Sequence, residues 1–189
     1  MQYLENWLAG RWVAAAGFMA VSLLALLPLM LAAFEPALVL IFLHSPAYML
    51  HQVEEHADDR FRAFVNQRVF GGREALSVAA VLVINLPLVW GLNLAALYAA
   101  YVWGDGYGLV APYAMLLNSF MHIAAAARFR GYNPGLATAM VIFLPLSLWT
   151  IFAIGPVGLV FHLVALILAV LIHAFIVADV LLRIRRGVA

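Results

Sequence analysis

The sequence predicts an all-α membrane protein: one domain over residues 1–189, a polytopic bundle of six transmembrane helices with both termini cytoplasmic. Three observations predict it. Hydrophobic residues make up 67% of the 189 and charged residues 10%, against about half and about a quarter in a soluble domain. So few charges cannot cover a water-facing surface. The apolar residues fall into six runs, each close to the roughly 20 residues that cross a bilayer as a helix. All ten basic residues, every one an Arg, then fall on one side of the membrane.

The first span covers residues 12–34. Its length, the Glu5–Arg11 pair before it and Phe34-Glu35-Pro36 after it are unlike a cleavable leader, whose apolar core is about 7–15 residues and ends in small residues. The second span covers 37–57 and carries His51, Glu54, Glu55 and His56 in its second half. The remaining spans are 76–102, 109–127, 136–154 and 157–182. Turn residues separate them: Glu35-Pro36, Gly71-Gly72, Gly104-Asp105-Gly106, Gly131 with Pro134-Gly135, and Gly155-Pro156. Leu-Pro-Leu recurs around Pro28, Pro87 and Pro145, which the abundance of Leu explains without an internal repeat.

Arg11 precedes the first span, and Arg60, Arg62, Arg68 and Arg73 lie in the 58–75 loop. Arg128 and Arg130 follow the fourth span, and Arg183, Arg185 and Arg186 close the chain. The opposite side has only Glu35 and Asp105. Positive charge marks the cytoplasmic face, which orients the bundle. The Arg-only basic set points to a bacterial source and so to the inner membrane. In the 58–75 loop, Phe61, Phe64, Val65 and Val69 recur at helical spacing between arginines, which predicts a short amphipathic helix on the inner surface. It serves as an interfacial connector or as a lid.

The absence of Cys excludes disulfides, thiolate metal sites and Cys nucleophiles. Five scattered serines and no Gly-x-Ser-x-Gly speak against a serine hydrolase. No basic run with interleaved aromatics suggests nucleic-acid binding.

Ionisable groups inside a membrane helix are costly and face the bundle interior or a wet cavity. The second span has the densest set. His51, Glu54, Glu55 and Asp58 share one helix face, with His44 two turns earlier; His56 points elsewhere. A His with carboxylates at i+3 and i+4 is a metal half-site that suits zinc, with iron or manganese as alternatives. The other reading is a charge-paired helix end just inside the interface. The order differs from an inverted zinc-peptidase motif, because position 55 is Glu. The fourth span brings Asn118 and His122, at i and i+4. His122 lies about 9 Å from the Arg end of its span and His51 about 13 Å from the end of its own, at 1.5 Å per residue. Similar depth permits a shared site. His173, about 15 Å deep by the same rise, is a further candidate ligand or a packing residue; His162 lies too far toward the outer side. Asn85 could line the cavity. Tyr132-Asn133-Pro134-Gly135 reads as a turn that starts the fifth span, with the Tyr132 hydroxyl at the interface.

Three motifs stand in order: His51-x-x-Glu54-Glu55, Asn118-x-x-x-His122 and Tyr132-x-Pro134-Gly135. Together, over roughly residues 45–140, they resemble the HXXEE family of integral membrane proteins. The resemblance implies that His51, Glu54, Glu55, Asn118, His122, Tyr132, Pro134 and Gly135 form one functional unit; it implies no substrate.

The expectation is a metal-dependent intramembrane enzyme, a hydrolase of a lipid or other amphiphile at the cytoplasmic leaflet. His51, His122, Glu55 and His173 are its candidate ligands for a divalent metal, zinc first. Glu54 or Glu55 is the general base, Asn118 orients His122 or supports an oxyanion, and Tyr132 is an acid or orienter. The alternatives are a proton- or ion-coupled transporter and a non-catalytic membrane subunit. Oligomeric state has no signature in the chain.

Overall fold

The computed structural model describes Trp7 and residues 10–186, for Arg186 the backbone alone. The described residues form helices and connecting turns, with no strand among them. The first apolar run is two helices, α1 (Trp12–Ala25) and α2 (Leu27–Ala33), bent by 41°. Pro28 sits in the first turn of α2, where its missing N–H costs least but where an unbroken helix could not continue. The second run is α3 (Pro36–His56), begun by a Pro at its first position. It ends where Asp58 and Asp59 both take left-handed backbone, φ 54° and 59°. Short polar side chains tolerate that region, and the chain turns sharply there.

The amphipathic segment predicted in the 58–75 loop is helical. It comprises α4 (Arg60–Ala63) and the π-helical turn Phe64–Val69 that continues it. Phe61, Val65 and Phe70 pack onto a cluster of Trp12, Leu76, Val81 and Val180. Asn66 pins the loop by donating to Leu76 O (2.9 Å) and accepting from Leu76 N (2.8 Å). Four long helices follow: α5 (Val78–Trp103), α6 (Asp105–Phe129), α7 (Leu136–Ala153) and α8 (Leu159–Arg186). Two contain π-helical turns, Ile84–Trp90 in α5 around Pro87 and Ala139–Phe143 in α7.

By length and apolarity, α5, α6, α7 and α8 can each cross a membrane, and the α1–α2 pair makes a fifth span if its bent halves count as one. The expected count of six is therefore met only in part. The remaining segment, α3, has 21 residues, but His44, His51, Gln52, Glu54, Glu55 and His56 leave it less apolar than the others. The packing accounts for this composition. Most of α3 is buried, enclosed by α1, α5, α6 and α7. A helix walled off from lipid by its neighbours needs no apolar outer face. α8, by contrast, is peripheral and almost wholly apolar.

A hydrogen-bonded network joins α3 to α5. Gln52 Nε2 donates to Asn85 Oδ1 (3.0 Å), and Trp90 Nε1 donates to Gln52 Oε1 (2.8 Å). Asn85 Nδ2 closes it on Val81 O (2.9 Å). The middle of the bundle is apolar, with Ala47, Tyr48, Val89, Met115 and Phe143 in one cluster.

Candidate metal centre

α3 carries His51 and Glu55 on successive turns, and α6 brings His122 to the same point. His51 Nε2 lies 3.5 Å from Glu55 Oε2, and His122 Nε2 lies 3.5 Å from Glu55 Oε1. All three residues are buried. One ligand atom from each can be chosen so that all lie within 4.8 Å of one another, and the group could hold a metal ion. Two donors bound to one tetrahedral ion at about 2.0–2.1 Å stand about 3.3–3.4 Å apart. The two His–Glu separations fit that spacing.

Hydrogen bonds on the far side of each ring decide which nitrogen faces the centre. Asn133 Nδ2 donates to His122 O (2.9 Å), which orients its amide and turns Oδ1 toward His122 Nδ1 at 2.7 Å. His122 therefore carries a proton on Nδ1, and Nε2 is the nitrogen that faces Glu55. His51 is held by a longer relay. Thr138 Oγ1 donates to Glu54 Oε2 (2.5 Å), so it accepts from His51 Nδ1 (2.7 Å). His51 Nε2 is left as an acceptor, and it is buried with no hydrogen-bond partner. Two imidazole nitrogens and a carboxylate thus converge on one point. A cation between them is the arrangement that turns mutual repulsion into binding.

The turn between α6 and α7 lies against this pair of rings. Gly135 has φ 94°. A Cβ there would stand 2.7 Å from Cε1 of both His51 and His122. The position needs glycine twice over, for its backbone and for its contact. Phe143 stacks on His51 at 4.3 Å between centroids, and Tyr48 closes the edge at 6.0 Å.

Glu54 is not a free carboxylate. It accepts from Tyr132 Oη (2.7 Å), Ala137 N (3.0 Å), Thr138 N (2.7 Å) and Thr138 Oγ1 (2.5 Å). It ties the start of α7 to α3. Tyr132 is mostly exposed, with its hydroxyl on Glu54. Partial burial and that hydrogen bond raise it above the ordinary tyrosine range. His56 does not point away from the group, as the helix period alone implied. Its Nε2 is 3.0 Å from Glu55 Oε2, and its ring stands between Trp12 and Phe61. Helix α3 ends at His56, so ideal periodicity no longer governs that side chain.

Asn118 does not orient His122; Asn133 does. Asn118 instead lines an apolar cavity beside the centre, with its Oδ1 buried and unpaired. Asn85 and His173 line the same cavity. His173 is outside the three-residue group and bonds through Nδ1 to Ala169 O (2.8 Å). His44 is fully buried on α3, with Nδ1 on Leu40 O and Nε2 unpaired. His162 pairs with the Tyr113 hydroxyl at 3.0 Å, away from the centre. Sequence reasoning missed Asn133 and Thr138 as orienting residues. Asn133 had a signal, being the polar residue inside the Tyr132–Gly135 turn; Thr138 had none beyond following it.

The family model described as "Protein of unknown function with HXXEE motif" matches residues 42–150, which include the centre and both orienting residues and leave out His173. No curated protein and no solved structure matches the chain.

Proposed function

The chain belongs to the HXXEE family, and we propose that its His51–Glu55–His122 group is the divalent-metal centre of an intramembrane hydrolase. The substrate in this reading is a lipid or other amphiphile of the cytoplasmic leaflet. The bundle crosses the membrane six times, α3 included, with both termini in the cytoplasm as the arginines direct. One observation carries the reading: two buried imidazoles, each locked with Nε2 inward, face the two oxygens of one carboxylate at 3.5 Å.

His51, His122 and Glu55 hold the ion, zinc by donor chemistry, with iron or manganese as alternatives. A divalent ion held there would supply Lewis-acid chemistry that activates a water near neutral pH. The protein's own part is orientation and proton handling. Thr138 and Asn133 fix the two imidazoles. Glu54, saturated by four donors, is a poor base and serves as the anchor of Thr138. Glu55 Oε2 is also in contact with His56 Nε2, which places the His56 imidazole beside the centre to carry a proton away. His56 also lines a second cavity, of about 440 Å³, together with Asp58 and Asp59, which gives the proton a polar exit.

The test is elemental analysis of protein purified without chelators, as wild type, His51→Ala and His122→Ala. About one equivalent of metal in wild type and under a tenth in either variant is expected. A metal-free wild type overturns the reading.

Transport is the second reading, and one observation favours it. His44 lies two turns from His51 on α3, with its Nε2 buried and unpaired, and Ser147 Oγ on α7 is unpaired too. These polar atoms could extend a path from the centre. Flux of protons or metal ions into vesicles carrying the protein, with membrane lipids unchanged, would favour transport over hydrolysis.

A further inference from the structure

The cavity that reaches Glu55 and Asn118 has a volume of about 350 Å³, near the low end of the roughly 300–1,000 Å³ of small-molecule sites. Most of its wall is aliphatic or aromatic. Along α5 it runs from Val81 to Leu92, about 16 Å at 1.5 Å per residue. One leaflet's share of a hydrocarbon core about 30 Å thick is about 15 Å. Two of its lining residues, Met121 on α6 and Val177 on α8, are also 43% and 44% exposed, so the cavity reaches the outer surface of the bundle beside them. Met121 and Val177 stand seven and six residues before Arg128 and Arg183, about 9–10 Å from the Arg-bearing ends of their helices. That depth is within the acyl region of the leaflet on that side.

The polar lining is not equivalent. Asn85 is engaged by Gln52 and Val81. Asn118 makes no hydrogen bond with the described residues, and its Oδ1 is buried. It stands one helical turn from His122, so an unpaired amide lines the cavity beside the centre.

We propose that this cavity binds one single-chain amphiphile from the cytoplasmic leaflet, its chain along α5 and a hydroxyl or carbonyl of its head on Asn118. The volume matches one chain, so a two-chain lipid would have to leave its second chain outside the cavity. The head is uncharged or cationic, since the Glu55 carboxylate lines the same cavity. As a substrate subsite the cavity rests on the hydrolase reading; as a binding site it stands without the metal.

Native mass spectrometry of the full chain in detergent with EDTA, offered 1-monooleoylglycerol and dioleoylglycerol at equal concentration, tests this. One bound monooleoylglycerol, at least tenfold preferred over dioleoylglycerol, is expected. Leu88→Trp and Ile176→Trp, which fill the cavity, should lower its occupancy at least tenfold, and Asn118→Leu about tenfold. Phe175→Trp, on an exposed position of α8, should leave it unchanged, and the melting temperature of each variant reports folding. Binding that survives both filling variants in folded protein, equal retention of the two lipids, or no retention at all overturns the proposal. His51→Ala separates the two readings: lost metal with retained monooleoylglycerol supports both, whereas a metal-free wild type that binds it removes the hydrolase and leaves the cavity.

Discussion

Asn133 and Thr138 do for the centre what its ligands cannot do for themselves. A free imidazole presents either nitrogen; these two fix Nδ1–H and aim Nε2 inward. Removing such an orienting partner lowers metal affinity by about 10–100-fold in comparable sites. Asn133→Leu and Thr138→Val are each expected to fall in that range in competition titrations with a metal-chelating indicator. Asn133→Asp keeps the acceptor at Nδ1 and should stay within a few-fold of wild type. Equal affinity in all three variants would show that the rings are held by packing alone. Tyr132, expected as an acid or orienter, donates to Glu54, and its hydroxyl is one of four donors there.

At the level of elements, α3 is the axis of the molecule. Its polar residues make it the weakest span by composition, yet the network through Gln52 binds it to α5. Replacing Gln52 strands the Trp90 indole N–H and leaves Asn85 Oδ1 unpaired, and a buried polar group without a partner costs about 1–3 kcal/mol. Gln52→Leu is therefore expected to lower the thermal midpoint in detergent, and Gln52→Glu, which keeps an acceptor for Trp90 but turns a buried carboxylate oxygen toward Asn85 Oδ1, should lose at least as much. An unchanged midpoint in Gln52→Leu would mean that apolar packing alone seats α3. The π-helical turns work at this scale too. The turn Ala139–Phe143 sets Phe143 on the His51 ring, and Ile84–Trp90 carries Asn85 and Trp90 into the Gln52 network. Such turns re-aim side chains that an ideal helix would point elsewhere.

For the whole molecule, the proposed topology rests on charge. With no Cys in the chain, single cysteines report sidedness without background. Tyr107→Cys, half-exposed before the body of α6, should react with an impermeant maleimide in intact cells. Gln67→Cys, exposed in the 58–75 loop, should react only after permeabilisation. Labelling of both from the same side would overturn the six-span arrangement. The Arg68–Phe129 contact, 3.4 Å from guanidinium nitrogen to carbonyl, already joins two of the Arg-bearing segments at one end of the bundle.

Composition determined that the chain forms apolar helices long enough to cross a membrane, because the cost of placing charge in hydrocarbon acts on every residue regardless of fold. Helical period placed His51 with Glu55, and Asn118 with His122, because spacing within one helix is a local property. Only the tertiary structure decided that Glu55 is the carboxylate shared by two histidines while Glu54 is spent on the α7 turn. It also decided that Asn133 rather than Asn118 holds His122, that His56 reaches Glu55, and that His173 lines a cavity instead of joining the group. The physical reason lies at Gly135. A left-handed turn with no side chain lets α6 and α7 close onto α3 until both rings meet one carboxylate, and no periodicity within a single helix encodes that approach.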